Sequence, residues 1–232
     1  MFSVIVPSYN EEEYIEKNLM KIIEELEKIG DYELIVVEES TDNTPNIIEN
    51  LVKKHPKLKH LHFDKRLGKG RAIEKGIEAA KGEYIIFMDA DLSTDLSALT
   101  ILTKELQYND IVVGSRYHRD SKLNRMLVRL FLGKTYSLMV SILLRMRNIS
   151  DMQCGFKGFR KYCAEKIMPI IRNKGFFWDT EFLFYANRYG YRIKEIPITW
   201  TEKIIRGSGS GRLQNIIYMG KSLIVLFVRS II

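Results

Sequence analysis

Asp89 and Asp91 close an apolar run, Tyr84-Ile85-Ile86-Phe87-Met88, and only Ala90 separates them. In extended chain, side chains two apart leave the same face, so both carboxylates can serve one target. Paired hard oxygen donors at a strand end suit a divalent cation that also holds phosphate groups. Acids are equally common in the polar turn after any core strand, so the pair alone leaves both readings open. Upstream, Lys65, Arg66, Lys69 and Arg71 cluster around Gly68-Lys69-Gly70. Acids for a metal beside cations for phosphates describe a nucleoside-diphosphate site. The Gly-Lys-Gly turn lacks the spacing and the Ser/Thr of an ATPase phosphate loop. No GxGxxG turn follows the first apolar segment, which argues against dinucleotide binding.

The surrounding elements have to bring these residues together. Phe2 to Pro7 predicts a first strand, and Glu11 to Glu13 open a helix whose apolar positions keep helical spacing to Gly30. Glu33 to Val37 predicts a buried second strand. Thr44 is expected to cap a second helix with Pro45 at its first position. His60 to Phe63 predicts a short strand, 69–80 a helix, 95–106 a helix and 110–114 a strand. Strand and helix alternate, so this half predicts an α/β, Rossmann-like, mostly parallel sheet flanked by helices. Ligands gather outside the carboxyl ends of strands in such sheets. Four segments should meet there: Pro7 to Glu11, Glu38 to Asp42, the loop before Lys69, and Asp89 to Asp91.

Beyond Arg116 the pattern changes. Leu123 to Met146 predicts a basic amphipathic helix, 148–158 a loop, 161–171 and 179–189 helices, and 192–200 a strand. Arg206 to Arg212 reads as a basic glycine-serine loop, and Leu213 to Ile232 as an apolar closing helix. The expected organisation is a catalytic unit over 1–212, holding the basic helix at about 122–147, followed by an interfacial helix over 213–232. Neither helix has the ~20 uninterrupted apolar residues of a spanning segment. Each can lie in a membrane interface, or pack as an ordinary core helix with a solvated basic edge. The closing helix can also pack on the first or meet a membrane subunit.

Charge supports a surface-binding role. Residues 121–150 and 203–232 carry eleven of the 36 Lys and Arg and no acid, leaving 25 bases against all 29 acids. A mildly acidic body with two basic, apolar segments points to an anionic surface for those segments, membrane or nucleic acid. A non-enzymatic nucleic-acid-binding module is the reading from another class; it expects no nucleotide-sugar binding and tolerance of Asp91→Ala. Phe2 to Pro7 is too short for a signal peptide and lacks a basic leader. Cys154 and Cys163 form neither a metal quartet nor a disulfide framework, which suits a reducing cytosol. His55, His60, His62 and His118 show no ligand spacing, and His62 reads as strand packing.

Several segments together resemble a known family: Val4-Ile5-Val6-Pro7-Ser8-Tyr9-Asn10-Glu11, the Leu34-to-Val37 strand with Ser40-Thr41-Asp42-Asn43-Thr44, Gly68-Lys69-Gly70, and Asp89-Ala90-Asp91. The set is similar to inverting GT-A glycosyltransferases of family 2. Gly114-Ser115-Arg116, Asp151 to Lys157, Trp178-Asp179-Thr180-Glu181 and Trp200-Thr201-Glu202 resemble the polyprenyl (dolichyl) phosphate hexose synthases. Gln153-Cys154-Gly155-Phe156-Lys157 is closer to the glucose than to the mannose synthases. The chain departs from the family's pattern of an acid pair plus glycine at Glu38-Glu39-Ser40, where one residue is missing. It departs again at Arg66 in place of an asparagine, at Ser93, and at Gly211-Arg212 for Ser-Lys.

The resemblance implies transfer of glucose or mannose from UDP-glucose or GDP-mannose to polyprenyl phosphate, at the cytoplasmic face of a membrane. A soluble relative acting on a saccharide is the alternative. Pro7, Tyr9, Glu11, Val37 and either Glu38 or Glu39 would hold the nucleoside. Asp89, Ala90 and Asp91, with Lys69, would hold the diphosphate and a Mg²⁺ or Mn²⁺, with Asp91 the direct ligand and Asp89 nearer the nucleotide. Arg116, Gln153, Arg206 and Arg212 would face the sugar or the acceptor phosphate. Asp151, Asp179 and Glu181 would orient sugar hydroxyls, position arginines or act as a base, and a structural role for each stands beside these. A small membrane subunit or a second copy of the chain are further implied partners; nucleic acid is not.

Overall fold

The computed structural model describes residues 1–124, 126–203 and 212–231, with the side chains of residues 127, 129, 212 and 213 outside that description. Strands β1 (Phe2–Ser8), β2 (Tyr32–Glu38), β3 (Leu58–His62), β4 (Tyr84–Met88) and β5 (Ile111–Ser115) alternate with helices α1 (Ile15–Ile29), α2 (Thr44–Val52), α3 (Lys69–Ala79) and α4 (Ala98–Glu105). The short strand β6 (Lys122–Asn124) and helix α5 (Leu127–Leu143) follow. Strand β7 (Phe156–Arg160), helices α6 (Lys161–Ile167) and α7 (Trp178–Arg188), strands β8 (Ile193–Pro197) and β9 (Thr199–Thr201) and helix α8 (Arg212–Ile231) complete the chain.

The main sheet runs in the order β3-β2-β1-β4-β7-β5-β8. All its pairings are parallel except those of β7, which runs against both β4 and β5. Alternation along each strand sends side chains to two separate cores. Ile5, Ile35, Ile85 and Phe87 face α3, α7 and the C-terminal helices, whereas Val4, Val6, Leu34 and Ile86 face α1, α2 and α4. Every residue of β2 is buried, as both-face coverage demands. Helix α1 buries Ile15, Leu19, Ile22, Ile23 and Leu26, one stripe at helical spacing.

Three local expectations are corrected. Strand β7 falls where a loop was expected. Its Phe156 and Phe159 enter opposite cores, but Lys157 between them is fully buried and breaks the apolar run that marks a central strand. The start of the expected 123–146 helix is instead β6, paired in parallel with β9. Thr44 does not cap α2; its Oγ1 accepts the Glu11 N–H at 2.9 Å, tying that helix start to the β1 turn.

Helices α5 and α8 each bury an edge and expose a face. Val140 and Leu144 at the end of α5, and Leu223 and Leu226 of α8, join the core that contains Phe182. Val128, Phe131, Leu138 and Ile142 on α5 and Ile224, Val225 and Val228 on α8 are exposed. Among the described residues no helix is long and apolar enough to cross a membrane.

Candidate active site

The carboxyl ends of β1, β2 and β4 and the N-terminus of α3 are joined by side-chain to backbone hydrogen bonds. Asn10 turns the chain after β1 with φ of 54°, a left-handed conformation that asparagine tolerates better than most residues. Its N–H donates to Ser40 Oγ at 2.9 Å, and its Oδ1 accepts the Thr41 N–H at 2.8 Å. Glu39, after β2, accepts the N–H groups of Leu67 and Gly68. That fixes the Gly68 turn, where φ is 83°, and so the start of α3. Lys69, the first residue of α3, then reaches Asp89 with Nζ to Oδ1 at 2.8 Å.

The end of β4 is held from both sides. Asp89 N–H donates to the Gly155 carbonyl at 3.0 Å. A Cβ on Gly155 would lie 1.8 Å from Asp89 Oδ2, so only glycine fits against this carboxylate. Asn18 of α1 donates from Nδ2 to the Ala90 carbonyl at 2.9 Å. Asp91 accepts the Ser93 N–H at 2.9 Å and the Ser93 hydroxyl at 2.8 Å.

The electrostatics here are those of crowded acids. Burial, then the charges of Asp91 and Asp89, push the Glu11 carboxyl from its ordinary 4.5 up to about 7. Burial and Asp89 likewise raise Asp91, against the lowering effect of Ser93. Burial would favour neutral Lys69, but Asp89 and Asp179 hold it protonated more firmly than usual. The Glu11 carboxyl has the Tyr14 hydroxyl beside it, which offsets part of its rise. Three mutually repelling carboxylates are a donor set that fits a hard divalent cation.

A second cluster lies beyond β5. Arg116 grips Asp151 in a two-pronged pair, Nε to Oδ2 at 2.7 Å and Nη2 to Oδ1 at 2.8 Å, and its N–H adds a third bond at 2.9 Å. Burial alone would raise the Asp151 carboxyl, yet Arg116 holds it below the usual carboxylate range. Gln153 donates from Nε2 to Thr180 Oγ1 at 2.8 Å, and Tyr136 of α5 meets the same hydroxyl at 2.8 Å. Lys157 and Asp179 form a fully buried ion pair at 2.6 Å. Cys154 sits between the clusters: burial first, then Asp151, push its thiol up to about 12, with Asp89 adding to the shift.

Other expected site residues are placed differently. Val37 lies in the apolar core. Glu181 accepts the N–H groups of Arg172 and Asn173 and pairs with Arg229 of α8 at 2.9 Å, which makes it an anchor for that helix. Arg71 pairs with Glu74 rather than standing free for phosphate. Arg66 covers the Tyr9 ring at 3.8 Å. Pro7, next to last in β1, is in register with Val37. Arg206 lies outside the described residues, as does the side chain of Arg212. Sequence reasoning missed Asn18 and Tyr136, which carry no local signal, and named Thr180 only within its motif. It also misjudged His60 and His62, which converge on Glu38. Their spacing of two on a strand was the available clue.

The family model described as Glycosyl transferase family 2 matches residues 3–168. Glycosyltransferase AglD of Haloferax volcanii is 35% identical over 207 residues, covering 87% of this chain and 33% of that protein. Dolichyl-phosphate beta-glucosyltransferase ALG5C of Trichomonas vaginalis is 33% identical over 213 residues, covering 85% of this chain and 63% of that protein. The chain thus spans less than two thirds of the length of either relative. Among solved structures, glucosyl-3-phosphoglycerate synthase from Mycobacterium tuberculosis in complex with Mn²⁺, UDP-Glc and phosphoglyceric acid superposes with a TM-score of 0.71 at 16% identity, covering 98% of this chain and 79% of that one.

Proposed function

The chain belongs to glycosyl transferase family 2, and from that premise we propose that it transfers glucose from UDP-glucose to a polyprenyl phosphate such as dolichyl phosphate. An oxygen of the lipid phosphate attacks the anomeric carbon, the bond from that carbon to the diphosphate breaks, UDP departs and the configuration inverts. The choice of glucose and of lipid rests on the relative from Trichomonas vaginalis and on the Gln153-to-Lys157 wording. The observation that carries the reading is the meeting of Glu11, Asp89 and Asp91 with Lys69 at the strand ends.

Asp91 is assigned the direct contact with Mn²⁺ or Mg²⁺, and Asp89 the side nearer the nucleotide. Such an ion, when bound, neutralises charge growing on the departing diphosphate. Lys69 adds a fixed cation at the same place. Tyr9 and Pro7 are assigned to the nucleoside. Glu38, the last residue of β2, and Glu39 after it are both committed to protein partners, so they shape the nucleoside turn rather than face the base.

A lipid phosphate is already an anionic nucleophile near neutral pH, so the acceptor side needs cations more than a general base. Arg116, oriented by Asp151, supplies one, with Gln153 beside it; Arg206 and Arg212 are assigned to the same phosphate. Asp179 holds Lys157, and Glu181 holds α8. The exposed apolar faces of α5 and α8, with exposed Lys134, Arg145, Arg147 and Lys221 near them in sequence, are assigned to an anionic, cytoplasmic membrane surface.

The test is incubation with polyprenyl phosphate, Mn²⁺ or Mg²⁺ and a panel of UDP- and GDP-sugars, followed by identification of the lipid product. A glucosyl lipid from UDP-glucose is expected. Transfer only to a soluble saccharide would overturn the acceptor, and a mannosyl product from GDP-mannose would overturn the donor.

A further inference from the structure

His60 and His62 are two apart on β3, so both rings leave the same face of that strand. Glu38, at the end of the neighbouring strand β2, stands opposite His62 in register. Both rings close on one oxygen: Glu38 Oε1 lies 2.9 Å from His60 Nε2 and contacts His62 Nδ1. The three ligand atoms all fall within 4.8 Å of one another. Glu38 is fully buried, and its other oxygen accepts the Ser40 N–H at 2.8 Å. On the far side of the His62 ring, Nε2 lies 3.3 Å from Asp64 Oδ1.

His62 therefore turns both ring nitrogens toward carboxylate oxygens. A neutral imidazole carries one N–H and can satisfy only one of them, so the other nitrogen needs a second proton or a metal ion. The geometry points to a transition-metal site made by His60 Nε2, His62 Nδ1 and Glu38, separate from the carboxylates at the end of β4. Two imidazoles and a carboxylate suit Zn²⁺ rather than the hard Mg²⁺ or Mn²⁺. Three protein ligands with one open position are a recurrent Zn²⁺ arrangement, at metal–ligand distances of about 2.0–2.2 Å. Around a tetrahedral ion at those distances the ligand atoms stand about 3.3–3.6 Å apart, so the Glu38 carboxylate has to draw back from both rings as the ion enters.

Both ligand types have the outer support that metal sites use. Asp64 meets the non-ligating nitrogen of His62, and the Ser40 amide fixes the carboxylate. The His62 side chain is 40% exposed, which gives the ion a way in. An ion held there would lock Glu38 and the turn through Ser40 that receives Asn10. It would touch no transferring group, and the site stands whether or not the nucleotide reading does.

The test is calorimetric titration of the chelator-stripped full chain with Zn²⁺, with retained metal counted by elemental analysis after gel filtration. One ion per chain is expected to survive in Asp91→Asn and to be lost in the His60→Gln, His62→Gln double variant, its folding checked by circular dichroism. Co²⁺ in place of Zn²⁺ should give imidazole-type d–d absorption that the double variant lacks. Asp64→Asn should weaken Zn²⁺ binding about tenfold. The proposal is overturned if the wild-type chain retains no Zn²⁺, if the double variant retains it as well as wild type, or if Asp91→Asn removes it. Should the double variant fail to fold, His62→Gln alone, at the exposed ligand, decides by the same readings.

Discussion

Lys69 Nζ lies 2.8 Å from Asp89 Oδ1, while Asp91, two residues further on, is met by the amide and hydroxyl of Ser93. The two acids at the end of β4 are therefore not equivalent. Asp89 already has a cation, and Gly155 presses against its other oxygen. Asp91 is half-buried, its carboxyl is raised by burial and by Asp89, and the Ser93 dipoles support it more than the Lys69 charge does. The carboxylate with an unmet charge is the one to which a divalent ion brings most, which separates the proposed roles of the pair.

Asp91→Asn is expected to lower metal-dependent transfer by about 10²–10³-fold, the scale of losing one preorganised electrostatic contact in an active site. Its melting temperature should stay level or rise, because a repelled, half-buried charge is removed from beside Asp89 and Glu11. Activity assays beside thermal melts check both. A variant with full activity would remove Asp91 from the metal site.

Glu11 links metal binding to pH. Its folded pKa, about 7, lies above the ordinary 4.5, so its contribution to stability is present below about 4.5 and is lost as pH rises through about 7. A divalent ion favours the ionised form, so Mn²⁺ affinity should climb across that window and binding should release protons. Calorimetry near pH 6 in buffers of different ionisation enthalpy measures the release. Glu11→Gln should reduce it; release unchanged in that variant would assign the proton to another group.

The parts of this site that were legible are those written within a few residues of one another. The run from Tyr84 to Asp91 announces a buried strand and its carboxylates in one stretch, and Gly68-Lys69-Gly70 announces a turn before a helix. Illegible parts depend on pairing between distant segments. Glu38 meets His60 and His62 only through the β2–β3 register. Strand β7 was hidden because its second residue, Lys157, is charged, and its burial becomes tolerable only when Asp179, 22 residues away, supplies the counter-charge. The amphipathic character of α5 and α8 was readable, but which edge enters the core was not, since their apolar residues surround much of each helix.

Arg116 and Asp151 form the buried pair of the acceptor side, with Asp151 fully buried and the arginine side chain 10% exposed. Removing one partner of such a pair strands the other charge, at a cost of about 3–5 kcal/mol. Asp151→Ala and Arg116→Ala should each destabilise by that amount, and the double variant by clearly less than the sum. Urea unfolding of the four proteins in the cycle measures the coupling. Strict additivity would mean that the pair does not act as a unit.

Helix α8 allows its two faces to be tested apart. Leu226 is 1% exposed and sits in the core with Phe182, whereas Ile224 and Val225 are 61% and 57% exposed. Leu226→Ala should destabilise by about 2–5 kcal/mol, as deletion of buried leucine atoms does, with little effect on lipid binding by the folded protein. Ile224→Glu with Val225→Glu should leave the melting temperature near wild type, because neither side chain leaves or enters the core. The same pair should cut sedimentation with anionic liposomes severalfold, since acids on the apolar face are both costly to bury in the interface and repelled by the headgroups. Sedimentation unchanged by the glutamates would place membrane contact elsewhere, leaving the exposed face of α8 to a protein partner.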